Sequence, residues 1–450
     1  MQVGTNLPKV GTFNRAVVLE AIQVSDGISR VQIAKRTGLT AQTVSVIVRK
    51  LLEEGLVVED GSLPSSGGKP RTILRVSPAA GYAVGIHFDP GEVSYVLADL
   101  AGEPVAKLHT GLRPGLAPEA VIRQMAATAR RMLEDAGVPD GKVLGIGLAC
   151  PGPLDAEGVI NNPPRLPGWD QVPIKSLLEE HIGFPVTFDN DAAAAAIGER
   201  WAGLARATPS FAYLYLGTGI GGGLFLDNQI YRGRSLNAAE FGHITVVPDG
   251  PECYCGNRGC VEAICCPSAI ETTFRSRLTA LATTGTTPPS PDVPSDGAHP
   301  SPDTPIASGG AGPSASALLA GTGTPSSPAV VTTLPPGADH AAICAAATAG
   351  DPLAGEVIGE AAARLADAAV SIVNMLDIDL LVLGGPAMHE AATIYRQVIA
   401  DAVATRAVTR RLHKVQVEIS PIAADAAAIG AASLVFHATY APRLGTLLTS

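Results

Sequence analysis

The chain has 450 residues, a net charge of -10 at pH 7, 46% hydrophobic residues and only 4% aromatic residues. This length suits two or three domains, each able to bury its own core. The sequence contains no uncharged apolar run of the roughly 18 to 20 residues that a membrane helix needs. It also lacks the basic start and apolar stretch of a signal peptide. The composition therefore excludes an integral membrane protein and favours a cytoplasmic one.

Positive charge is concentrated near the N-terminus. Residues 1–77 contain ten basic and six acidic residues, although the whole chain is acidic. A polyanion such as DNA would bind best to this segment.

The same segment has the pattern of three helices. Apolar residues at near-helical spacing predict a first helix over residues 12–25. Ser29 and Gln32 form the pattern of a capping box, which opens a short second helix that Gly38 ends. Thr40 can cap a third helix. Its apolar face comprises Val44, Ile47, Val48 and Leu51. Two helices joined by a short glycine turn indicate a helix-turn-helix.

Two strand-like segments, 55–59 and 72–76, flank a basic, glycine-rich loop, and this pattern predicts a β-hairpin wing. Polar side chains of the third helix can reach base edges, while arginine and lysine suit phosphates. The candidate DNA contacts are Gln42, Thr43, Ser45, Arg49, Lys50, Lys69 and Arg71. The alternative is a small helical domain that binds a protein partner through the same face.

From residue 81 apolar strands alternate with helices, which predicts a mixed α/β body with ligand groups at its strand ends. The predicted strands are 81–88, 94–100, 104–110, 143–149, 185–188, 211–216, 224–226 and 381–383. The glycine run 217–223 could bring backbone N–H groups close to a phosphate or sugar. A tight hairpin needs glycine as well, so this motif alone leaves both interpretations open.

The most specific motif combines Glu240-Phe-Gly-His243 with Cys253, Cys255 and Cys260. One imidazole and three thiolates suit a closed tetrahedral zinc site, which is structural rather than catalytic. Free or disulfide-bonded cysteines beside an unrelated histidine are the alternative. The other cysteines lie in apolar surroundings and are expected in the core: Cys150, Cys265, Cys266 and Cys344.

These motifs together resemble the ROK family of repressors and sugar kinases, over about residues 8–440 apart from an insertion. The resemblance implies an actin/hexokinase-like body of two subdomains with a sugar cleft, preceded by an α+β winged helix-turn-helix domain. It also implies which side chains face the sugar hydroxyls, with His243 serving the metal site too. They are Asn190, Asp191, Glu240, His243 and Glu262. In the kinase members the aspartate matching Asp191 is the general base, whereas here we expect no catalytic residue.

The segment from Asn161 to Trp169 resembles the loop that closes over the ligand, but Trp169 could equally be a packing residue.

The chain departs from the kinase members at the first phosphate-binding turn. Kinase members carry Asp-x-Gly-Gly-Thr there, whereas this chain has Pro90 and Glu92, which remove an N–H donor and add a negative charge. Ala193 also replaces an asparagine that is frequent in the kinases. Both changes predict poor phosphoryl transfer.

Residues 282–337 are rich in proline, serine, threonine, glycine and alanine, which predicts a disordered insertion. The expected domains are a winged helix-turn-helix over 8–77, an N-terminal subdomain over 80–200 and a C-terminal subdomain over 201–440. The final helix, near 424–438, is expected to pack back on the N-terminal subdomain.

The leading hypothesis is a sugar-responsive DNA-binding regulator, most simply a repressor, that carries structural Zn²⁺. Its partners would be a double-stranded DNA operator, a sugar or sugar phosphate, and further copies of itself in a homodimer or homotetramer. An ATP-dependent sugar kinase with a DNA-binding arm is the second hypothesis. A DNA-binding protein without a ligand is the third.

Overall fold

A computed structural model describes residues 7–25, 27–63, 71–113, 115–163, 165–284 and 334–440. Lys69 and most of the expected insertion, 282–337, lie outside these described residues. Among the described residues, no single helix is long and apolar enough to cross a membrane.

The N-terminal module consists of three helices and a two-stranded antiparallel sheet. Its elements are α1 (Leu7–Gln23), α2 (Arg30–Thr37), α3 (Ala41–Glu53), β1 (Val57–Leu63) and β2 (Arg71–Val76). The predicted caps are present: Ser29 and Gln32 form a capping box, Gly38 ends α2 with φ 71°, and Thr40 caps α3. The first helix begins earlier than predicted, at Leu7 instead of residue 12.

A first five-stranded sheet has the order β5-β4-β3-β6-β7. The strands are β3 (Tyr82–Asp89), β4 (Glu92–Asp99), β5 (Pro104–Gly111), β6 (Val143–Cys150) and β7 (Val186–Asn190). Strands β3, β6 and β7 are parallel, so their C-terminal ends meet at one edge. Helices α4 (Pro118–Asp135) and α5 (Ile174–Ile182) share a core with one face of this sheet.

A second five-stranded sheet has the order β10-β9-β8-β11-β12. The strands are β8 (Phe211–Leu216), β9 (Ile220–Leu226), β10 (Gln229–Ile230), β11 (Leu380–Gly384) and β12 (Gln416–Ile419). Helices α8 (Pro267–Thr284), α9 (His340–Thr348), α10 (Pro352–Leu376) and α11 (Ala392–Arg406) share a core with one face of it. The short helix α7 (Val261–Cys265) joins the same core.

Two helices, α6 (Asp191–Ala202) and α12 (Ala426–Tyr440), lie against the other face of the second sheet. Helix α12 also approaches the first sheet very closely. A Cβ added at Gly85 or Gly147 would lie 1.8 Å or 1.7 Å from a backbone oxygen of α12. The last described helix is therefore seated between the two sheets, and glycines in the strands make room for it.

The module and the body share one hydrophobic cluster. Side chains of α1, α2, α3 and β2 pack together with residues of β3, β4 and α12, and Trp201 of α6 lies against the same cluster. Gln23 of α1 also donates a hydrogen bond to the carbonyl of Leu100, at 3.1 Å. The module is thus packed onto the body.

Candidate functional site

A cavity of about 520 Å³ lies between the two sheets, where β6 and β7 end and β8 turns into β9. The chain reaches it from several separate segments. All five side chains assigned to the sugar by resemblance line this one cavity: Asn190, Asp191, Glu240, His243 and Glu262. The structure therefore brings together residues that are up to 72 positions apart in the sequence.

Asn190 and Asp191 stand at the junction of β7 and α6. The side-chain oxygen of Asn190 caps α6 by accepting the backbone N–H groups of Ala192 and Ala193, at 2.9 and 3.4 Å. Its amide nitrogen remains as a donor toward a ligand. Asp191 accepts the N–H of Ala192 at 2.7 Å. The cap holds both side chains at the mouth of the cavity.

The cavity concentrates negative charge. Burial, followed by the neighbouring charge of Asp89, raises the pKa of Asp191 to about 7, and Glu240 and Glu262 add to the effect. Burial also raises the pKa of Asp89 to about 6. Carboxylates in this arrangement accept hydrogen bonds from a polyol, while they repel a polyphosphate.

Glu262 is buried, with its side chain 7% exposed, and both of its oxygens have partners. One oxygen accepts the backbone N–H of Ile220 at 2.8 Å, and the other lies 3.3 Å from Arg165. A Cβ at Gly219 would lie 2.6 Å from this carboxylate, so a side chain there would displace the carboxylate from its present position. Glu262 therefore fixes the turn that forms one wall of the cavity.

The histidine and three cysteines of the predicted metal motif converge. Their ligand atoms, from His243, Cys253, Cys255 and Cys260, all lie within 4.8 Å of one another. Cys253 Sγ is 3.6 Å from His243 Nδ1, and Cys255 Sγ is 3.8 Å from Cys260 Sγ. Ligands around a tetrahedral zinc ion are roughly 3.8 Å apart when the metal–sulfur bond is about 2.3 Å. The cluster thus has the dimensions of a site that could hold such an ion.

His243 belongs to both the cluster and the cavity. Its Nδ1 faces Cys253, while Nε2 lies 3.0 Å from the hydroxyl of Tyr254 and 3.9 Å from Glu240. A metal on Nδ1 fixes the tautomer in which Nε2 carries the proton, so this nitrogen becomes a donor. The cluster also precedes α7, because Cys260 is the N-terminal cap of the helix that carries Glu262.

The glycine run lines the cavity with Gly219 and Gly221 and also has a packing role. Residues 220–226 form β9, which starts earlier than the predicted segment 224–226. A Cβ at Gly221 or Gly223 would lie within 2.8 Å of α6 atoms. These glycines permit close packing of α6 on the sheet.

Trp169 is a packing residue. Its ring is 5% exposed and lies 4.4 Å from the ring of Phe88, so it belongs to the core beside the first sheet. Of the same segment, Asn161 and Asn162 do line the cavity. The four remaining cysteines are buried, as expected for core residues: Cys150, Cys265, Cys266 and Cys344.

Two cavity residues were not singled out individually by the sequence, although Arg165 lies within the segment 161–169. Arg165 supplies the positive charge beside Glu262 and also donates to Cys266 Sγ at 3.4 Å. Asn237 exchanges hydrogen bonds with the backbone of Leu154, at 3.2 and 3.0 Å. Both lie in irregular segments, where helix and strand periodicity gives no signal.

Five of the seven candidate DNA contacts lie on one surface of α3. Gln42, Ser45, Arg49 and Lys50 are exposed, and Thr43 is half-buried. Arg71 is exposed at the start of β2, next to the loop that contains Lys69, which lies outside the described residues. Val46, which the sequence pattern did not mark, is 43% exposed among them. An exposed valine on this face suits contact with a thymine methyl group.

Comparisons with known proteins agree with this architecture. A model of the ROK family matches residues 85–293 and 306–438, and a model of the MarR family matches residues 12–62. A xylose repressor of Caldicellulosiruptor bescii is 33% identical over 251 residues, which is 56% of this chain and 63% of the repressor. A glucokinase of Thermotoga maritima is 38% identical over 158 residues, 35% of this chain and 48% of the kinase. The chain therefore spans less than two thirds of the length of either relative.

A solved structure has the same fold throughout. The crystal structure of a ROK family transcriptional regulator, a homologue of the E. coli MLC protein, superposes with a TM-score of 0.70 and 21% identity. The superposition covers 98% of this chain and 99% of that one. Since the family model matches well over half of the sequence and the fold agrees, the chain belongs to the ROK family.

Proposed function

We propose that this protein is a sugar-responsive, DNA-binding transcriptional repressor of carbohydrate genes, acting in the cytoplasm. The main support is the combination of two surfaces in one chain. One is a cavity lined by carboxylates and carboxamides, and the other is a helix-turn-helix with exposed polar side chains on α3. The xylose repressor among its relatives is consistent with this function.

The ligand of the cavity is proposed to be a neutral sugar. Asn190, Asp191 and Glu240 would hold vicinal hydroxyl groups through paired hydrogen bonds, and His243 Nε2 would donate one more. A sugar hydroxyl would take the place that the hydroxyl of Tyr254 has beside His243. The crowding of carboxylates disfavours a phosphorylated sugar.

The cluster of one histidine and three cysteines is proposed to hold structural Zn²⁺. Its geometry fits four protein ligands, and such closed sites stabilise the loops that contain them. Here the ion would hold His243 and, through Cys260 and α7, Glu262. Zinc would therefore shape the sugar site without taking part in a reaction.

Helix α6 is proposed to connect the sugar with the DNA-binding module. It begins at Asp191 in the cavity, and its far end carries Arg200, 3.9 Å from Glu20 of α1. Its 12 residues span about 18 Å. A small rotation of α6 on sugar binding would tilt the module. In a homodimer or homotetramer, such a tilt would change the match to two operator half-sites.

The test begins with zinc-replete full-length protein and fragmented genomic DNA. We expect selective enrichment of specific fragments, and release of these fragments by one of xylose, glucose or N-acetylglucosamine. Asp191→Asn should retain the fragments but resist release. The proposal fails if no fragment is enriched, or if calorimetry detects no binding of any of the three sugars.

The alternative is an ATP-dependent sugar kinase of the same family. Asp191, with its pKa raised to about 7, has the properties of a general base near neutral pH. Against this, Pro90 lines the cavity and the Glu92 carboxylate lies 3.1 Å from His109 Nδ1, in the region where the kinases bind phosphate. Steady ATP turnover with a hexose that Asp191→Asn abolishes would favour the kinase.

A further inference from the structure

A second cavity, of about 370 Å³, lies between the N-terminal module and the body. Its walls come from α1, the C-terminal ends of α6 and α12, and the hairpin of β9 and β10. Five aromatic side chains are among those that line it: Phe13, Trp201, Phe225, Phe436 and Tyr440. This volume and apolar lining are typical of small-molecule sites.

Arg200 contributes a buried cation to the wall, with its side chain only 5% exposed. Its guanidinium donates to the carbonyls of Ala205 and Arg206 and to the side-chain oxygen of Asn228, which are all neutral. Within the described part of the chain, Glu20 is the one carboxylate within 4.0 Å, and it is 3.9 Å away and 40% exposed. A buried charge is costly unless a close counter-ion compensates it. Arg200 therefore lacks a close, buried counter-ion.

Arg232 brings a second guanidinium to the same wall. It pairs with buried Asp189, but its Nη1 has no hydrogen-bond partner among the described residues, and neither has Nε of Arg200. His437 completes the polar side. Burial, followed by the charge of Arg232, lowers the pKa of His437 to about 4, so the ring is neutral at pH 7. The cavity thus combines an apolar wall with two guanidinium groups that each have a carboxylate partner and still offer an unpaired N–H donor.

We propose that this cavity binds a small organic monocarboxylate that carries an apolar ring. The carboxylate would lie against Arg200, with charge-assisted hydrogen bonds, and the ring would pack among Phe13, Trp201 and Phe436. Glu20 is on α1 and Arg200 on α6, so the bound anion would replace the ion pair that crosses the junction. Such a ligand would act on the DNA-binding module from a site separate from the sugar cavity.

Calorimetry with zinc-replete full-length protein tests the ligand class. The probes are benzoate, phenylacetate and 3-phenylpropanoate, each compared with its neutral amide. We expect at least one acid to bind once per chain and its amide to bind about tenfold more weakly, because the amide lacks the charge. If no acid binds more tightly than its amide, the proposal is wrong.

Two substitutions of opposite effect test the position of the carboxylate. Arg200→Gln should abolish binding of the best acid. Glu20→Gln should strengthen it by roughly threefold, because it removes a competing negative charge. A merely structural role of the ion pair would not give tighter binding. If Arg200→Gln does not fold, the Glu20→Gln variant alone tests the proposal. Binding of the acid to Glu20→Gln that is unchanged or weaker overturns it.

Asp191→Asn separates this site from the sugar cavity. It should leave binding of the acid unchanged, whatever its effect on sugar binding. Loss of acid binding in Asp191→Asn would place the acid in the sugar cavity and overturn the proposal.

Discussion

At the scale of single residues, Asp191 combines a structural and a chemical role. It opens α6 and lies among the carboxylates of Asp89, Glu240 and Glu262, which together with burial raise its pKa. A raised pKa means that the side chain is ionised only above about pH 7. Sugar hydroxyls donate hydrogen bonds more strongly to a carboxylate than to a neutral carboxylic acid.

We therefore expect sugar affinity to increase as the pH rises through about 7 and to level off above it. Below this pH Asp191 is protonated, so its carboxyl group is neutral and accepts hydrogen bonds from the sugar hydroxyls less strongly. Calorimetric titrations across this range provide the measurement. In Asp191→Asn the affinity should be lower and the rise near pH 7 should disappear. If sugar affinity still rises near pH 7 in the variant, a group other than Asp191 is responsible for the pH dependence.

Gly147 shows how one residue can be essential for packing. Its missing side chain admits the backbone of α12, and a Cβ would lie 1.7 Å from the oxygen of Ala431. We expect Gly147→Ala to lower the free energy of unfolding by about 2–4 kcal/mol, since the clash is with backbone and cannot be relieved by a rotamer change. Denaturant titration measures it. Gly141→Ala is the control, because a Cβ there meets nothing within 4 Å. Equal stability of the two variants would contradict this packing.

At the scale of elements, the loop between His243 and Cys260 is connected to Glu262 of the sugar cavity through α7. The cluster positions both His243 and the N-terminal end of the helix that carries Glu262. Cys260→Ser should therefore lose bound zinc and, with it, sugar affinity. Atomic emission spectrometry and calorimetry provide the two measurements. Cys344→Ala, which removes a buried thiol outside the cluster, should retain both. Full sugar affinity in a zinc-free Cys260→Ser protein would show that the sugar cavity does not depend on the metal cluster.

Helix α3 presents its charged residues at the end of its polar face. Arg49→Ala should weaken binding to all DNA sequences by a similar factor and lower the salt dependence by about one phosphate contact. Fluorescence anisotropy at several salt concentrations measures both. Arg131→Ala, an exposed change on α4, is the control. An effect of Arg49→Ala on a single DNA sequence would instead indicate base recognition.

The sequence predicted those elements that have strong local signals. The caps of α2 and α3 follow from Ser29, Gly38 and Thr40, because capping depends on a few neighbouring residues. The convergence of His243 with the cysteines was predictable from spacing and residue type. The glycines of β9 were ambiguous, since their role depends on α6, which is close only in the folded chain. The roles of Arg165 and Asn237 depend on tertiary contacts that leave no periodic pattern.

At the scale of the whole molecule, one hydrophobic cluster joins the module to the body, while residues 285–333 lie outside the described residues. The composition of that segment predicts that it adds little to the core. We expect replacement of residues 286–332 by a short Gly-Ser linker to leave zinc content and DNA binding unchanged. Metal analysis and anisotropy measure these properties. Loss of soluble protein on replacement would show that the segment is needed for folding.

The position of α12 between the two sheets also has a consequence for folding during translation. Strands β3, β6 and β7 leave the ribosome early, yet the face that contains Gly85 and Gly147 is covered only when residues 426–440 follow. Until then this apolar face, and the cluster that it shares with the DNA-binding module, stay incomplete. Nascent chains would therefore need protection from aggregation for most of translation. A truncation before α12 should damage DNA binding and sugar binding together.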